Sequence, residues 1–203
     1  MRKIILIFLL IIIGSAVGVS CRMNKEAQKS TAKLLQKGKI KEDTSFVYSL
    51  PYEVGKSHWV VQGYYSAYTH RNRVAIDFKM KKGTRICAAR GGVVVRLHES
   101  GTRGGLKGEY RQDANYVVIQ HEDGTRAGYW HLQKDGVLVD VGEKVTQGQV
   151  IGLSGNTGYT AFPHLHFLVW GNDKNGQWQT IPTRFSTSKK TRYLRPFRKY
   201  KRE

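Results

Sequence analysis

From about Tyr48 onward the chain breaks into short apolar runs separated by turn residues at even spacing, and no stretch after residue 45 keeps a helical period. Val93-Val94-Val95 follows a Gly pair. Tyr116 to Ile119 leads into Glu122-Asp123-Gly124, a hairpin signal, and Thr125 to Leu132 is expected as the returning strand. Val137–Val141, Val145 and Gln149–Leu153 are separated by Gly142 and Gly148. His164–Trp170 alternates, and Asn172–Gly176 then turns the chain into Gln177–Ile181. Such strands bury a core only by pairing with one another, so the pattern predicts an all-β domain over residues 48–183.

The two ends differ in kind. Arg2 and Lys3 precede an unbroken run of Ile, Leu and Phe from Ile4 to Ile13, followed by small or β-branched residues and Cys21. That order describes a signal peptide over residues 1–20. The uncharged stretch Ile4–Ser20 is shorter than the roughly 20 apolar residues of a membrane span. Gly18-Val19-Ser20-Cys21 resembles a bacterial lipobox, so the expected place is the cell envelope, lipid-anchored through Cys21. Residues 21–47, polar and Lys-rich with Ala27, Ala32, Leu34 and Leu35 among their few apolar points, are expected as a polar tether, at most a frayed helix. With Cys87 the only other cysteine, a disulfide framework and a Cys-rich zinc knuckle are excluded.

Lys and Arg total 34 against 15 acids, a formal charge of +19. A balance this basic favours a polyanionic neighbour. Residues 184–203 concentrate it, with Phe185, Tyr193, Phe197 and Tyr200 among the cations. Basic residues interleaved with aromatics can hold a polyanion or a membrane surface, although a terminal charge run is more commonly a solvated tail. The expectation is a basic, partly flexible C-terminal tail facing anionic membrane or wall polymer. No specific nucleic-acid partner is expected, and the oligomeric state is left open.

The chemistry lies in the histidines, of which there are seven. In Pro163-His164-Leu165-His166-Phe167, a strand projects His164 and His166 to one face and Leu165 and Phe167 to the other. Alone, His-x-His is a weak metal signal. In Val74-Ala75-Ile76-Asp77-Phe78 the apolar residues alternate, so Asp77 faces away from their side as a rigid oxygen ligand, with His70 seven residues earlier. Tyr129-Trp130-His131-Leu132 ends the returning strand, where alternation puts Trp130 and Leu132 on one face and His131 on the other. Four histidines and one aspartate could thus converge. Two His and one Asp on a metal leave a fourth tetrahedral position for water, and two further His are free for proton transfer.

Together His70…Asp77, Tyr129-Trp130-His131-Leu132 and Pro163-His164-Leu165-His166-Phe167 resemble the lysostaphin/LytM-type zinc endopeptidases, the M23 peptidase family. Ala88-Ala89-Arg90-Gly91-Gly92, Asn115 to His121, Val141-Gly142-Glu143-Lys144-Val145 and Gly155-Asn156-Thr157-Gly158 fit in the same order, so the resemblance covers roughly residues 50 to 182. It implies an antiparallel β-sheet groove with Zn2+ at its floor, ligands His70, Asp77 and His166, and catalytic His131 and His164. It also implies hydrolysis of peptide bonds in peptidoglycan stem peptides or cross-bridges. The sequence departs from the commonest family pattern in the spacing of His70 and Asp77, and in placing Phe162 before Pro163 where a small residue is usual. Tyr129 and Asn115 are candidates for orienting the ligands.

Other enzyme classes lack their marks. No His-Glu-x-x-His and no Gly-x-Ser-x-Gly occur. Cys87 in Arg85-Ile86-Cys87-Ala88-Ala89 reads as a buried strand thiol. Two non-enzyme readings stand beside the peptidase: a non-catalytic envelope lipoprotein with a LytM-like fold that binds polyanions, and a biotinyl- or lipoyl-carrier-like sandwich. The carrier's Met-Lys-Met signature is absent from Phe78-Lys79-Met80.

Overall fold

The computed structural model describes residues 25–42, 45–173 and 175–203. The expected signal peptide and Cys21 lie outside the described residues. In chain order the strands are β1 Val47–Tyr48, β2 Ser57–Gln62, β3 Ile76–Lys79, β4 Arg85–Cys87, β5 Gly92–His98 and β6 Gly104–Gly105. A 3-10 helix at Gly108–Asp113 precedes β7 Asn115–Gln120, β8 Arg126–Val137, β9 Lys144–Val145, β10 Val150–Ser154 and β11 Gly158–Tyr159. Then come β12 His164–Asn172, β13 Trp178–Ile181, β14 Arg184–Phe185, β15 Arg192–Tyr193 and β16 Arg198–Lys201. The main sheet runs β16-β2-β3-β12-β8-β7-β5-β9, with β13 on β12 and β10 joining β4 to β8. Its pairings are antiparallel, which gives the expected all-β class.

One face of this sheet makes the core. Ile76 and Phe78, Leu165, Phe167 and Val169, Ala127 and Tyr129, and Val117 and Ile119 are all buried, each set at every second position of its strand. Tyr48, Leu50, Tyr52 and Phe185 join them in the same cluster. The expected hairpin joins β7 to β8, with His121 N–H donating to Thr125 O at 2.8 Å. The Gly-rich stretch 101–113 is tied down: β6 pairs in parallel with β11, and Arg103 holds Asp113 through two nitrogens at 2.9 and 3.1 Å.

The described residues 25–42 and the segment 184–203 pack into the fold, where a polar tether and a partly flexible tail are expected from the sequence. Residues 25–37 are helical. Ala32 and Leu35, three apart on one helix face, are buried in the core cluster, and Gln36 Nε2 donates to Leu194 O at 2.8 Å. At the other end β14 pairs with β1, and β16 closes the main sheet against β2. The interleaving of cations and aromatics around residue 200 is strand alternation: Tyr200 is buried while Arg198, Lys199 and Lys201 are exposed. Lysines on an edge strand also discourage pairing with another chain.

Candidate metal centre

Opposite the core face, three neighbouring strands bring polar side chains into one row. Asp77 of β3 is the direct cross-strand partner of His166 on β12, and His166 is in turn partnered by Trp130 on β8. Paired residues share a face, so the alternation that buries Phe78, Leu165 and Phe167 aims Asp77, His164 and His166 into the groove. His70 reaches the same point from the loop before β3. Its Nε2 lies 3.1 Å from Asp77 Oδ1 and 3.1 Å from His166 Nδ1, and His166 Nδ1 lies 2.8 Å from Asp77 Oδ1. These are the three residues whose donor atoms converge as a metal site would require.

The protonation pattern supports a cation there. His70 Nδ1–H donates to Gly63 O at 2.9 Å, so in the neutral ring Nε2 carries a lone pair. That lone pair faces a carboxylate oxygen and another imidazole nitrogen, an arrangement of acceptors that a bound cation satisfies. Two imidazoles and a carboxylate are the donor set of a tetrahedral site that leaves its fourth position to water. Burial opposes the charge on Asp77, but the neighbouring His166, 2.8 Å away, outweighs it and holds the carboxyl far below the usual carboxylate range. His166 is pushed down by burial, against the pull of Asp77.

His131 arrives by a different device. Asn115 and Tyr116 of β7 pair with Leu132 and Trp130, so His131 is the extra residue of a β-bulge. Its φ of +67° lies in the left-handed region. The bulge corrects the expected facing. Trp130 does not share a face with Leu132: Leu132 is buried in the core, while Trp130 lies against His166 and Trp170, with ring centroids 5.9 and 5.8 Å apart. An unbroken strand would have turned His131 toward the core. The extra residue aims it instead beside Trp130 into the groove, its ring 4.6 Å from that of His164. Gly155 closes over the bulge with its N–H on His131 O at 2.8 Å, and a Cβ there would come within 2.4 Å of Gln133 N.

Backbone carbonyls fix the two remaining histidines. His131 Nδ1–H donates to Thr157 O at 2.7 Å, and His164 Nδ1–H to Phe162 O at 2.8 Å. Each therefore turns Nε2 to the groove; that of His164 is 3.8 Å from Asp77 Oδ2. His131 is pushed down to about 3, first by desolvation and then by His164 and His166, which keeps its ring neutral around pH 7. Phe162 is 41 % exposed, its ring 5.3 Å from that of His164 and tilted 47° to it.

The structure thus brings together all five residues singled out in the sequence: His70, Asp77, His131, His164 and His166. It does not bring Tyr129 to the ligands; its buried hydroxyl accepts from Ala89 N–H on the core side. Asn115 acts at one remove, its N–H donating to Thr157 Oγ1 at 3.0 Å. The carbonyls of Gly63, Thr157 and Phe162 that orient the rings carry no signature in the sequence, because every residue has one.

The model of Peptidase family M23 matches residues 71–178. Over 116 residues the chain is 41% identical to peptidoglycan DD-endopeptidase ShyA of Vibrio cholerae serotype O1, covering 56% of this chain and 24% of ShyA. Over 114 residues it is 40% identical to lysostaphin of Staphylococcus simulans, covering 56% of this chain and 21% of lysostaphin. The solved catalytic domain of that lysostaphin aligns at 29% identity over 62% of this chain and 87% of its own, with a TM-score of 0.44. The chain spans about a quarter of the length of the curated relatives it matches.

Proposed function

The chain belongs to peptidase family M23, and on that premise we propose that it is a zinc-dependent endopeptidase cutting peptide bonds in the stem peptides or cross-bridges of bacterial peptidoglycan. The observation that carries this reading is the convergence of His70 Nε2, Asp77 Oδ1 and His166 Nδ1, with two more imidazoles on the same face. The substrate class is drawn from the similarity to ShyA, a peptidoglycan DD-endopeptidase by name, and the peptidase activity also from lysostaphin, an antimicrobial peptidase by name.

His70, Asp77 and His166 would hold the ion. Bound there, zinc supplies Lewis-acid chemistry, polarising the scissile carbonyl and making water a nucleophile near neutral pH. His131 and His164 handle the proton. With each Nδ1–H committed to a carbonyl, each Nε2 is an acceptor that can take a proton from the attacking water and return it to the departing amine. The desolvation that depresses His131 keeps that acceptor unprotonated through the neutral range. Trp130 stands edge-on beside His166, with ring centroids 5.9 Å apart. The cell envelope is the place this activity requires, and the apolar stretch Ile4–Ser20 is the export segment that would deliver the chain there.

The test is mass analysis of fragments released from purified sacculi. The expected result is shortened muropeptides cut at one kind of peptide bond, abolished by a chelator and restored by zinc. Release unaffected by chelation, or none from zinc-loaded protein, would contradict the reading.

A further inference from the structure

We infer that the cleft between the helix at 25–37 and strand β16 is a second binding site for the acidic glycan-peptide strand of the cell wall, continuous with the catalytic face. This rests on the peptidoglycan reading above. The cleft has a volume of about 900 Å³ and is lined by Trp59 together with residues drawn from 35–42 and from 184–201. Apart from Trp59, its walls come from the ends of the chain, to either side of the family match over 71–178.

Charge and shape specify the occupant. Lys41, Lys189, Lys190, Arg195, Arg198 and Lys199 all line the cleft, against the single acid Glu42, whose carboxylate accepts from Ser45 N–H and Tyr193 Oη–H. Among the described residues Lys189, Lys190 and Lys199 enter no ion pair. Two large aromatic side chains stand in the same opening, Trp59 at 49 % and Phe197 at 76 % exposure. Phe197 has a φ of +59°, a costly conformation for a bulky residue, and burial of its ring does not offset it. Cations beside exposed aromatic faces suit a polymer that carries peptide carboxylates beside the apolar faces of sugar rings.

Register ties this cleft to the catalytic groove. Lys199 of β16 is paired with Trp59 of β2, Trp59 with Lys79 of β3, and Lys79 with His164 of β12. The four side chains share one face across four adjacent strands, a span of roughly 14 Å at about 4.8 Å per strand. A linear strand lying over His164 can therefore continue across Lys79 and Trp59 into the cleft. A concave opening suits such a strand, whereas a flat bilayer surface does not enter it.

The experiment measures binding of the full chain to purified sacculi by co-sedimentation, with chelator present so that nothing is cut. Phosphatidylglycerol vesicles form a parallel arm. Two variants are compared with wild type: the triple change Lys189→Glu, Lys190→Glu, Lys199→Glu, and Trp59→Ala. All four residues are exposed, and thermal melts confirm that each variant folds. The triple variant is expected to bind sacculi at least about tenfold more weakly and to lose most of the salt dependence. Trp59→Ala is expected to weaken binding several-fold while leaving the salt dependence in place. Unchanged binding by both variants overturns the inference, as does a loss confined to vesicles. The catalytic reading fails separately, through absence of cleavage by zinc-loaded wild type, which this binding assay does not involve.

Discussion

His164 and His166 stand on a strand that keeps its alternation, and His131 stands on one that breaks it. On β12 the residues that fill the core, Leu165 and Phe167, also aim the two histidines, so position and stability come from one pattern. On β8 the side chain is aimed by an inserted residue with a left-handed backbone, held by Thr157 O and covered by Gly155. The comparison teaches that the aim of His164 and His166 is a by-product of good packing, whereas His131 is placed at a cost to the backbone. Strain of that kind collects at functional sites.

The largest effect that bears on this contrast is kinetic. His131→Ala is expected to keep the metal and lose about 10²–10⁴ in turnover, because only proton transfer is removed; metal analysis and steady-state rates on one sample check both halves. Loss of metal together with rate would break the division between the two strands. A smaller effect sharpens it. Glycine relieves a left-handed backbone but weakens a regular strand. His131→Gly should therefore be less destabilising than His164→Gly by about 1 kcal/mol in urea unfolding of the metal-free chain. Equal losses would mean that the bulge is unstrained.

A third effect is on pH dependence. In the metal-free chain desolvation holds His131 down to about 3, against an ordinary value of 6.5. Between those values the unfolded chain binds a proton there that the folded chain does not, so stability rises with pH across that window. The contribution is complete above about pH 6.5 and is lost as the pH falls toward 3. Urea midpoints measured from pH 7 down to 4 should fall for the wild type and fall less for His131→Gly.

Much of this contrast is legible in the sequence. Period-two alternation is enough to set Asp77, His164 and His166 opposite Phe78, Leu165 and Phe167, and Glu122-Asp123-Gly124 marks the hairpin. The bulge is not legible, because an extra residue is defined only against the partner strand; counting along β8 alone turns Trp130 to the wrong face. The carbonyls of Gly63, Thr157 and Phe162 are silent for a similar reason: they are recognised only by what folds against them. The ends were obscured by charge. Nine cations among residues 184–203 describe a solvated tail, until Tyr200 is seen to pack inward while its neighbours guard a sheet edge.

The central claim is that His70, Asp77 and His166 hold one catalytic ion. It is tested most directly by the metal content of the purified chain beside that of its His166→Ala variant, each dialysed against metal-free buffer after zinc loading. The account predicts one zinc per wild-type chain and almost none in the variant, with the fold retained. One tightly held zinc in both would contradict it.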